Sequence, residues 1–150
     1  MAESGSARHI SPISIAGRPI MGLILPIPVV CFLGALLTDW AYVRSGGNFL
    51  WINFSSWLLT AGLLAAGLAI VLILIDIIRI PAIRAALGWS TLGLLVAAWL
   101  TELINALVHT RDGWTAVVPT GLTLSIIGVL LLLAGGWFWQ SIRLSSGEAR

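Results

Sequence analysis

The sequence of 150 residues contains no lysine, a single cysteine and few charged residues of either sign. Its eight basic residues are all arginines, which occur singly and not as a stripe, and the net charge is only +2. We therefore expect no nucleic-acid partner. The lone Cys31 lies in an apolar segment, so neither an intramolecular disulfide nor a multi-thiolate metal site can form, and a buried, inert thiol is expected.

Motifs for catalysis and for cofactor binding are also missing. The two histidines, His9 and His109, are expected at opposite membrane surfaces, so one chain cannot hold a haem iron between two histidine ligands. The sequence has no H-x-x-x-H pair, no carboxylate-histidine metal motif, no glycine-rich phosphate loop and no nucleophile elbow. We therefore expect a protein that is not an enzyme and that has no cofactor and no metal site.

Apolar residues dominate what is present. They make up 59% of the chain, charged residues only 9%, and the mean hydropathy is +1.03. These values lie far outside the range of a soluble domain, so we expect the lipid bilayer to surround most of the protein. Runs near or above twenty apolar residues can cross roughly 30 Å of hydrocarbon as helices, with every backbone hydrogen bond made internally. Because the runs are continuous and not alternating, a membrane-spanning barrel of strands is excluded.

The breaks between these runs predict an all-α integral membrane protein, a bundle of four transmembrane helices with short loops. The breaks are a glycine-containing turn at 44–48, a proline-containing segment at 79–84 and an Asp-Gly turn within 110–114. The predicted spans are 20–43, 51–79, 85–109 and 115–142, inside a transmembrane domain at 19–143 that follows a polar tail at 1–18 and precedes a short tail at 144–150.

The distribution of arginines predicts the orientation of the bundle. Six lie on the side of the chain ends and two on the other, and cytoplasmic loops are enriched in basic residues. Both termini are therefore expected to be cytoplasmic, and tryptophans near the predicted span ends agree with this register. The arginines on the terminal side are Arg8, Arg18, Arg79, Arg84, Arg143 and Arg150, and those on the other side are Arg44 and Arg111.

The third predicted span carries a polar stripe. Glu102, Asn105 and His109 project within roughly 60° of one another on a helix, and Glu102 lies about 10 Å deeper than His109. An ionised carboxylate facing lipid is costly, so Glu102 should face the bundle, be protonated or have a partner. Asp39 in span 1 and Asn53 in span 2 lie toward the same membrane surface. We predict that these five residues form one polar cluster, which requires spans 1, 2 and 3 to be mutual neighbours.

Two interpretations of this polar cluster are open. It can be a proton- or ion-handling site, or a cavity for a small polar ligand, because carboxylates and an imidazole exchange protons near neutral pH. It can also consist of hydrogen bonds that join helices near a wet interface. The second interpretation is favoured, because the residues lie near a span end and not at the midplane of the bilayer.

Two further features concern contacts of the spans. Asp76 precedes Arg79 by three residues, a spacing that suits an ion pair on one helix, and Arg84 is a second candidate partner. In span 4, Gly121, Ser125 and Gly128 share a face, and small residues at such spacing favour close helix packing in lipid.

The first span resembles a known family. In the segment 17–42, Gly17, Pro19, Pro26, Pro28, Thr38 and Asp39 stand at positions of a pattern found in small bacterial membrane proteins catalogued as domain of unknown function 2231. The resemblance extends to about residue 125, with Asp76 matching a family aspartate before an Ile-Pro turn. It implies a four-span fold in the bacterial cytoplasmic (inner) membrane and no defined activity. Arg18 and Met21 stand where that family often has histidines.

Three functions are compatible with these features. The first is a non-catalytic structural or accessory subunit, or anchor, of a membrane complex such as a redox or respiratory assembly, with other integral membrane proteins or a second copy as partners. The second is a small proton-coupled transporter, channel or ligand-binding membrane protein that uses the polar cluster. The third is a haem or quinone redox protein, which the tryptophans permit and the histidine count disfavours.

Overall fold

The computed structural model describes residues 14–15, 18–81, 89–111 and 113–147. Helices make up nearly all of these residues, and four segments are long and apolar enough to span a membrane. The predicted four-helix membrane bundle is therefore confirmed. The four segments are Gly22–Arg44, Phe49–Arg79, Trp89–Val108 and Trp114–Phe138.

The chain begins with a small antiparallel pair of strands, β1 (Ser14–Ile15) and β2 (Arg18–Pro19), followed by a short helix, α1 (Ile20–Ile24). The first long helix, α2 (Pro26–Arg44), starts directly after Leu25. Pro26 lacks a backbone N–H, which separates α1 from α2, but at the first position of a helix this N–H would have no partner in any case.

The turn between the first two long helices is built from residues suited to reversing the chain. Gly46 and Gly47 have φ values of 71° and 93°, in the left-handed region that glycine adopts without strain. Asn48 then caps α3 (Phe49–Arg79), because its side-chain oxygen accepts a hydrogen bond from the backbone N–H of Leu50 at 3.0 Å. With 31 residues, α3 is about 46 Å long, more than the hydrocarbon core requires.

The second half of the bundle consists of α4 (Trp89–Val108) and α5 (Thr120–Gly147), joined through a 3₁₀ turn at Gly113–Ala116. Span 4 begins at Trp114, one residue before the predicted 115, but its regular α-helix, α5, begins only at Thr120. The reason is local, because Pro119 disfavours helical backbone in the residue before it. The predicted start of span 3 at residue 85 lies outside the described residues.

The four long helices form a ring in chain order, in which α2 packs against α3 and α5, and α4 packs against α3 and α5. Helices α2 and α4 therefore face each other diagonally across the bundle. The expectation that spans 1, 2 and 3 are all mutual neighbours is wrong, since spans 1 and 3 meet only through side chains that reach the bundle axis. Short connections place consecutive helices side by side, which produces this order.

Two clusters of buried apolar side chains form the core. We call them the deep apolar layer and the shallow apolar layer, the second being closer to the α2–α3 turn. The deep apolar layer comprises Phe32, Ala35, Leu59 and Val129, and the shallow apolar layer comprises Tyr42, Ile52, Ala116 and Val117. Along each of α2, α3 and α5, one buried polar residue lies between the two layers: Asp39, Ser55 and Ser125 respectively.

Candidate functional site: a buried polar network

Asp39 is the centre of a set of buried hydrogen bonds on the bundle axis. Its side chain is completely buried. Ser55 Oγ donates to its Oδ1 and Ser125 Oγ donates to its Oδ2, each at 2.5 Å. Nε2 of His109 lies 2.8 Å from Oδ1. One carboxylate therefore contacts side chains from the three other parts of the bundle.

Helix periodicity brings these residues inward. Buried residues recur three or four positions apart, the spacing of one helix face. Asp39 and Ser55 occupy such positions, so burying the apolar residues of α2 and α3 buries the two polar side chains with them. The buried positions around them are Phe32, Ala35, Asp39 and Tyr42 in α2, and Ile52, Ser55, Leu59 and Gly62 in α3.

His109 directly follows α4, and three oxygen atoms contact its ring, of which Ser55 Oγ, 3.3 Å from Nε2, is the most distant. Its Nδ1 lies 3.0 Å from the backbone oxygen of Asn105, and its Nε2 faces the carboxylate of Asp39. A carbonyl oxygen can only accept, so Nδ1 must carry a hydrogen. The proton between Nε2 and Asp39 is then shared by the pair, which is an imidazolium–carboxylate ion pair when that proton is on the ring.

Asn105 connects this centre to Glu102. Its Nδ2 donates to Ser125 Oγ at 2.8 Å and to Glu102 Oε2 at 3.0 Å. Both Asn105 and Glu102 are completely buried. Together with Asp39, Ser55, His109 and Ser125, they make up what we call the polar network. Its hydrogen bonds join side chains of α2, α3, α4 and α5 with that of His109, which directly follows α4.

Two oxygen atoms of the polar network have no hydrogen-bond partner among the described residues. They are Oε1 of Glu102 and Oδ1 of Asn105, and both are buried. The carboxyl group of Glu102 lies directly against Gly128 of α5, where an added Cβ would stand 2.6 Å from Glu102 Cδ. A side chain at position 128 would therefore force the carboxyl group or α5 to shift. A buried acceptor without a donor is costly.

The sequence-predicted cluster is brought together except for one member. Asp39, Glu102, Asn105 and His109 lie in the polar network, whereas Asn53 is exposed on another face of α3. Two positions along a helix turn the side chain by about 200°, so Asn53 and Ser55 cannot share a face. Ser55 occupies the place expected for Asn53. The three-to-four spacing of Ile52, Ser55 and Leu59 was the signal that could have identified it.

Ser125 is a network member that the sequence pattern assigned to helix packing alone. It lies with Gly121 and Gly128 on the buried face of α5, as the small-residue spacing predicts. The small side chain both permits close approach of the helices and supplies a hydroxyl that accepts from Asn105 and donates to Asp39. No feature of the sequence distinguishes this serine from one that only packs.

The expected ion pair between Asp76 and Arg79 is not formed. Asp76 is 7% exposed and its Oδ1 has no partner within the described chain, whereas Arg79 is exposed. Asp76 lies on the buried face of α3 one turn beyond Ile73, which directs it into the bundle and away from the arginine at the helix end. Arg84, the second candidate partner, lies outside the described residues.

The polar network offers little to a metal or a haem. Among the described residues, no three or more His, Cys, Asp or Glu side chains come together as a metal-binding group. Both ring nitrogens of His109 face oxygen atoms, so an iron ligand bond would displace either Asp39 or the Asn105 carbonyl. A cavity of about 40 Å³ lies elsewhere, with an apolar lining that includes Phe32, Ala98 and Leu132.

Comparison with known proteins gives a family and no activity. Neither a curated protein nor a solved structure matches the chain. A family described as predicted membrane protein DUF2231 matches residues 17–145, which extends the resemblance seen in the first span across the whole bundle. The protein is therefore a member of this family of membrane proteins of unknown function.

Proposed function

We propose that this protein is a non-catalytic structural or accessory component of a bacterial cytoplasmic membrane, with both termini in the cytoplasm. The observation that carries the proposal is that Asp39 accepts from Ser55, His109 and Ser125, so the polar side chains are used to join the helices. A site for a polar substrate would need such groups directed at an open cavity. Here the deep and shallow apolar layers lie on both sides of them.

The energetics of membrane proteins favour this role. In a bilayer, hydrogen bonds between helices contribute about 0.6 kcal/mol on average, and apolar contact gives little drive because lipid is equally apolar. Several bonds that converge on one carboxylate therefore specify which helices pair and at what depth. A bundle whose helix pairing and helix depth are fixed in this way can present a constant outer surface to another membrane protein or to a second copy.

The outer surface is apolar on all four helices. Large exposed side chains include Val30 on α2, Leu64 on α3, Leu107 on α4 and Leu130 on α5. Lipid or a partner protein can cover each of these faces. The accessory role requires that one face contacts protein, in an assembly of which a redox or respiratory complex is one example.

Site-specific photo-crosslinking in native membranes tests this role. A photoreactive amino acid is placed at Val30, Leu64, Leu107 or Leu130 in turn, with the buried Leu59 as the matched control. We expect a discrete protein adduct from one exposed face and none from position 59. An adduct with twice the mass of the chain identifies a second copy. Adducts with lipid alone at all four exposed positions contradict an accessory role.

A second candidate function is a small proton-coupled transporter, channel or ligand-binding protein that uses the polar network. The observation that favours it is the pair of buried acceptors without donors, Glu102 Oε1 and Asn105 Oδ1. Ionisable groups inside the membrane commonly mark ion or proton pathways. Proton flux into liposomes that is lost in Glu102→Gln, with the fold intact, supports this candidate. Equal flux in wild type, Glu102→Gln and protein-free liposomes contradicts it.

A further inference from the structure

We propose that Glu102 is a proton-binding site inside the membrane, which holds its proton as a neutral carboxylic acid while Asp39 and His109 form an ion pair. This goes beyond the structural role proposed above, because the hydrogen bonds to Asp39 join the helices whichever protonation state Glu102 has. The proposal holds with or without a partner protein. Three features around the carboxyl group support it: the hydrogen-bond donors, the charges and the packing.

The donors of the polar network are all in use. The two hydrogens of Asn105 Nδ2 go to Glu102 Oε2 and Ser125 Oγ, and the hydroxyl hydrogens of Ser125 and Ser55 go to Asp39. The ring hydrogens of His109 go to Asp39 and to the Asn105 carbonyl. An ionised Glu102 could only accept, and no donor of the described chain reaches its Oε1. A proton on Glu102 removes the negative charge that Oε1 would otherwise hold without a donor.

The charges of the network lead to the same state. A ring that donates from both nitrogens is an imidazolium, and the carboxylate of Asp39 at 2.8 Å balances its charge. An ionised Glu102 would then give the buried network a net charge of −1. Within the described chain, the His109–Asp39 contact is the one ion pair, so no cation remains to offset Glu102. A buried charge without a partner is costly, and a neutral acid avoids this cost.

Apart from Asp39 and His109, no titratable group of the described part of the chain acts on Glu102. Its own helix contributes Asn105 and precedes His109, α2 contributes Asp39, and α5 contributes Ser125 and Gly128. Asp39 and His109 neutralise each other. The carboxyl group packs closely against Gly128 of α5, where an added Cβ would stand 2.6 Å from Glu102 Cδ.

The proton can be observed without altering the network. The chain contains three glutamates, and Glu3 and Glu148 both lie outside the described residues. In the variant Glu3→Gln/Glu148→Gln, Glu102 is the sole glutamate. Glutamate labelled with ¹³C at its side-chain carboxyl carbon, Cδ, therefore gives one side-chain resonance. The matched control is Glu102→Gln/Glu148→Gln, in which the resonance comes from Glu3 in the polar N-terminal tail and marks the ionised position.

We expect the Glu102 carbon of protein in lipid bilayers at pH 7 to resonate at the position of a carboxylic acid, displaced from the Glu3 reference. The spectrum should be the same in sodium chloride and in choline chloride. A resonance at the carboxylate position in both salts overturns the proposal. A carboxylate position that moves when sodium replaces choline also overturns it, and identifies Glu102 as a ligand of a monovalent cation.

Discussion

Asp39 and His109 lie 70 positions apart in the chain, on diagonally opposite sides of the bundle, and His109 Nε2 is 2.8 Å from Asp39 Oδ1. Because α2 and α4 are not neighbours in the ring of helices, this contact crosses the bundle axis. Ser55 and Ser125 bind the same carboxylate from the remaining two helices. A single acidic side chain therefore sets the relative depth of all four helices.

Replacing Asp39 by alanine is expected to be strongly destabilising. The change leaves His109 in a buried position without its carboxylate, and removing one partner of a buried pair lowers the free energy of unfolding by about 3–5 kcal/mol. Asp39→Asn keeps the volume and one acceptor oxygen, so it should cost less. Equilibrium unfolding in bicelles measures both. Wild-type stability of Asp39→Ala would show that this carboxylate does not hold the bundle together.

The two serines should contribute unequally. Ser55→Ala removes one short buried hydrogen bond, to Asp39, and two long contacts, to His109 Nε2 at 3.3 Å and the Ala35 carbonyl at 3.4 Å. It is expected to lower the free energy of unfolding by about 1 kcal/mol. Ser125→Ala should cost more, because both of its hydrogen bonds, to Asp39 and from Asn105, are short. The control is the exposed Asn53→Ala, expected to change stability by less than about 0.5 kcal/mol. A larger loss from Asn53→Ala than from Ser55→Ala would reverse the assignment of these residues.

Alanine at position 128 should clash with Glu102. Its Cβ would stand 2.6 Å from Glu102 Cδ, so either the side chain or α5 must move. Overpacking of this kind costs about 1–3 kcal/mol. The control is Gly93→Ala, because a Cβ there meets no atom within 4 Å, and it should stabilise α4 by up to about 1 kcal/mol through helix propensity.

A second substitution separates the clash from other effects of Gly128→Ala. Glu102→Ala removes the side chain that the new methyl group would meet. In that background, Gly128→Ala should lose most of its destabilising effect. Equal destabilisation in both backgrounds would show that the glycine is needed for a reason other than the Glu102 carboxyl group.

Arg79 should be dispensable for stability. It is exposed and makes no ion pair with Asp76. Arg79→Ala is therefore expected to change the free energy of unfolding by less than about 0.5 kcal/mol, both in wild type and in Asp76→Asn. A loss above about 1 kcal/mol that disappears in the Asp76→Asn background would restore the ion pair expected from the sequence.

The four spans could be predicted from the sequence because bilayer thickness sets the length of an apolar helix. The inward position of Glu102, Asn105 and His109 followed from helix periodicity and from the cost of polar groups in lipid. The 3₁₀ turn at the start of span 4 could not be predicted, since the apolar run continues through it and hydropathy does not register a change of helix type.

The remaining errors share a cause. An amide is a stronger polar signal than a hydroxyl, but helix face decides that Ser55 is buried and Asn53 exposed. Asp76 was paired with Arg79 by spacing alone, although its place after Ile73 on the buried face of α3 directs it inward. In both cases the direction of the side chain decides the contact, and neither residue type nor the spacing of a charged pair gives that direction.

The most direct test of the account is a double-mutant cycle between Asp39 and His109, measured by equilibrium unfolding in bicelles. The variants are Asp39→Ala, His109→Ala and the double substitution. Because the two side chains share one buried hydrogen bond, we expect a coupling energy of about 1–3 kcal/mol, with the double variant less destabilised than the sum of the singles. Effects that add to within about 0.5 kcal/mol would contradict a direct interaction across the bundle axis.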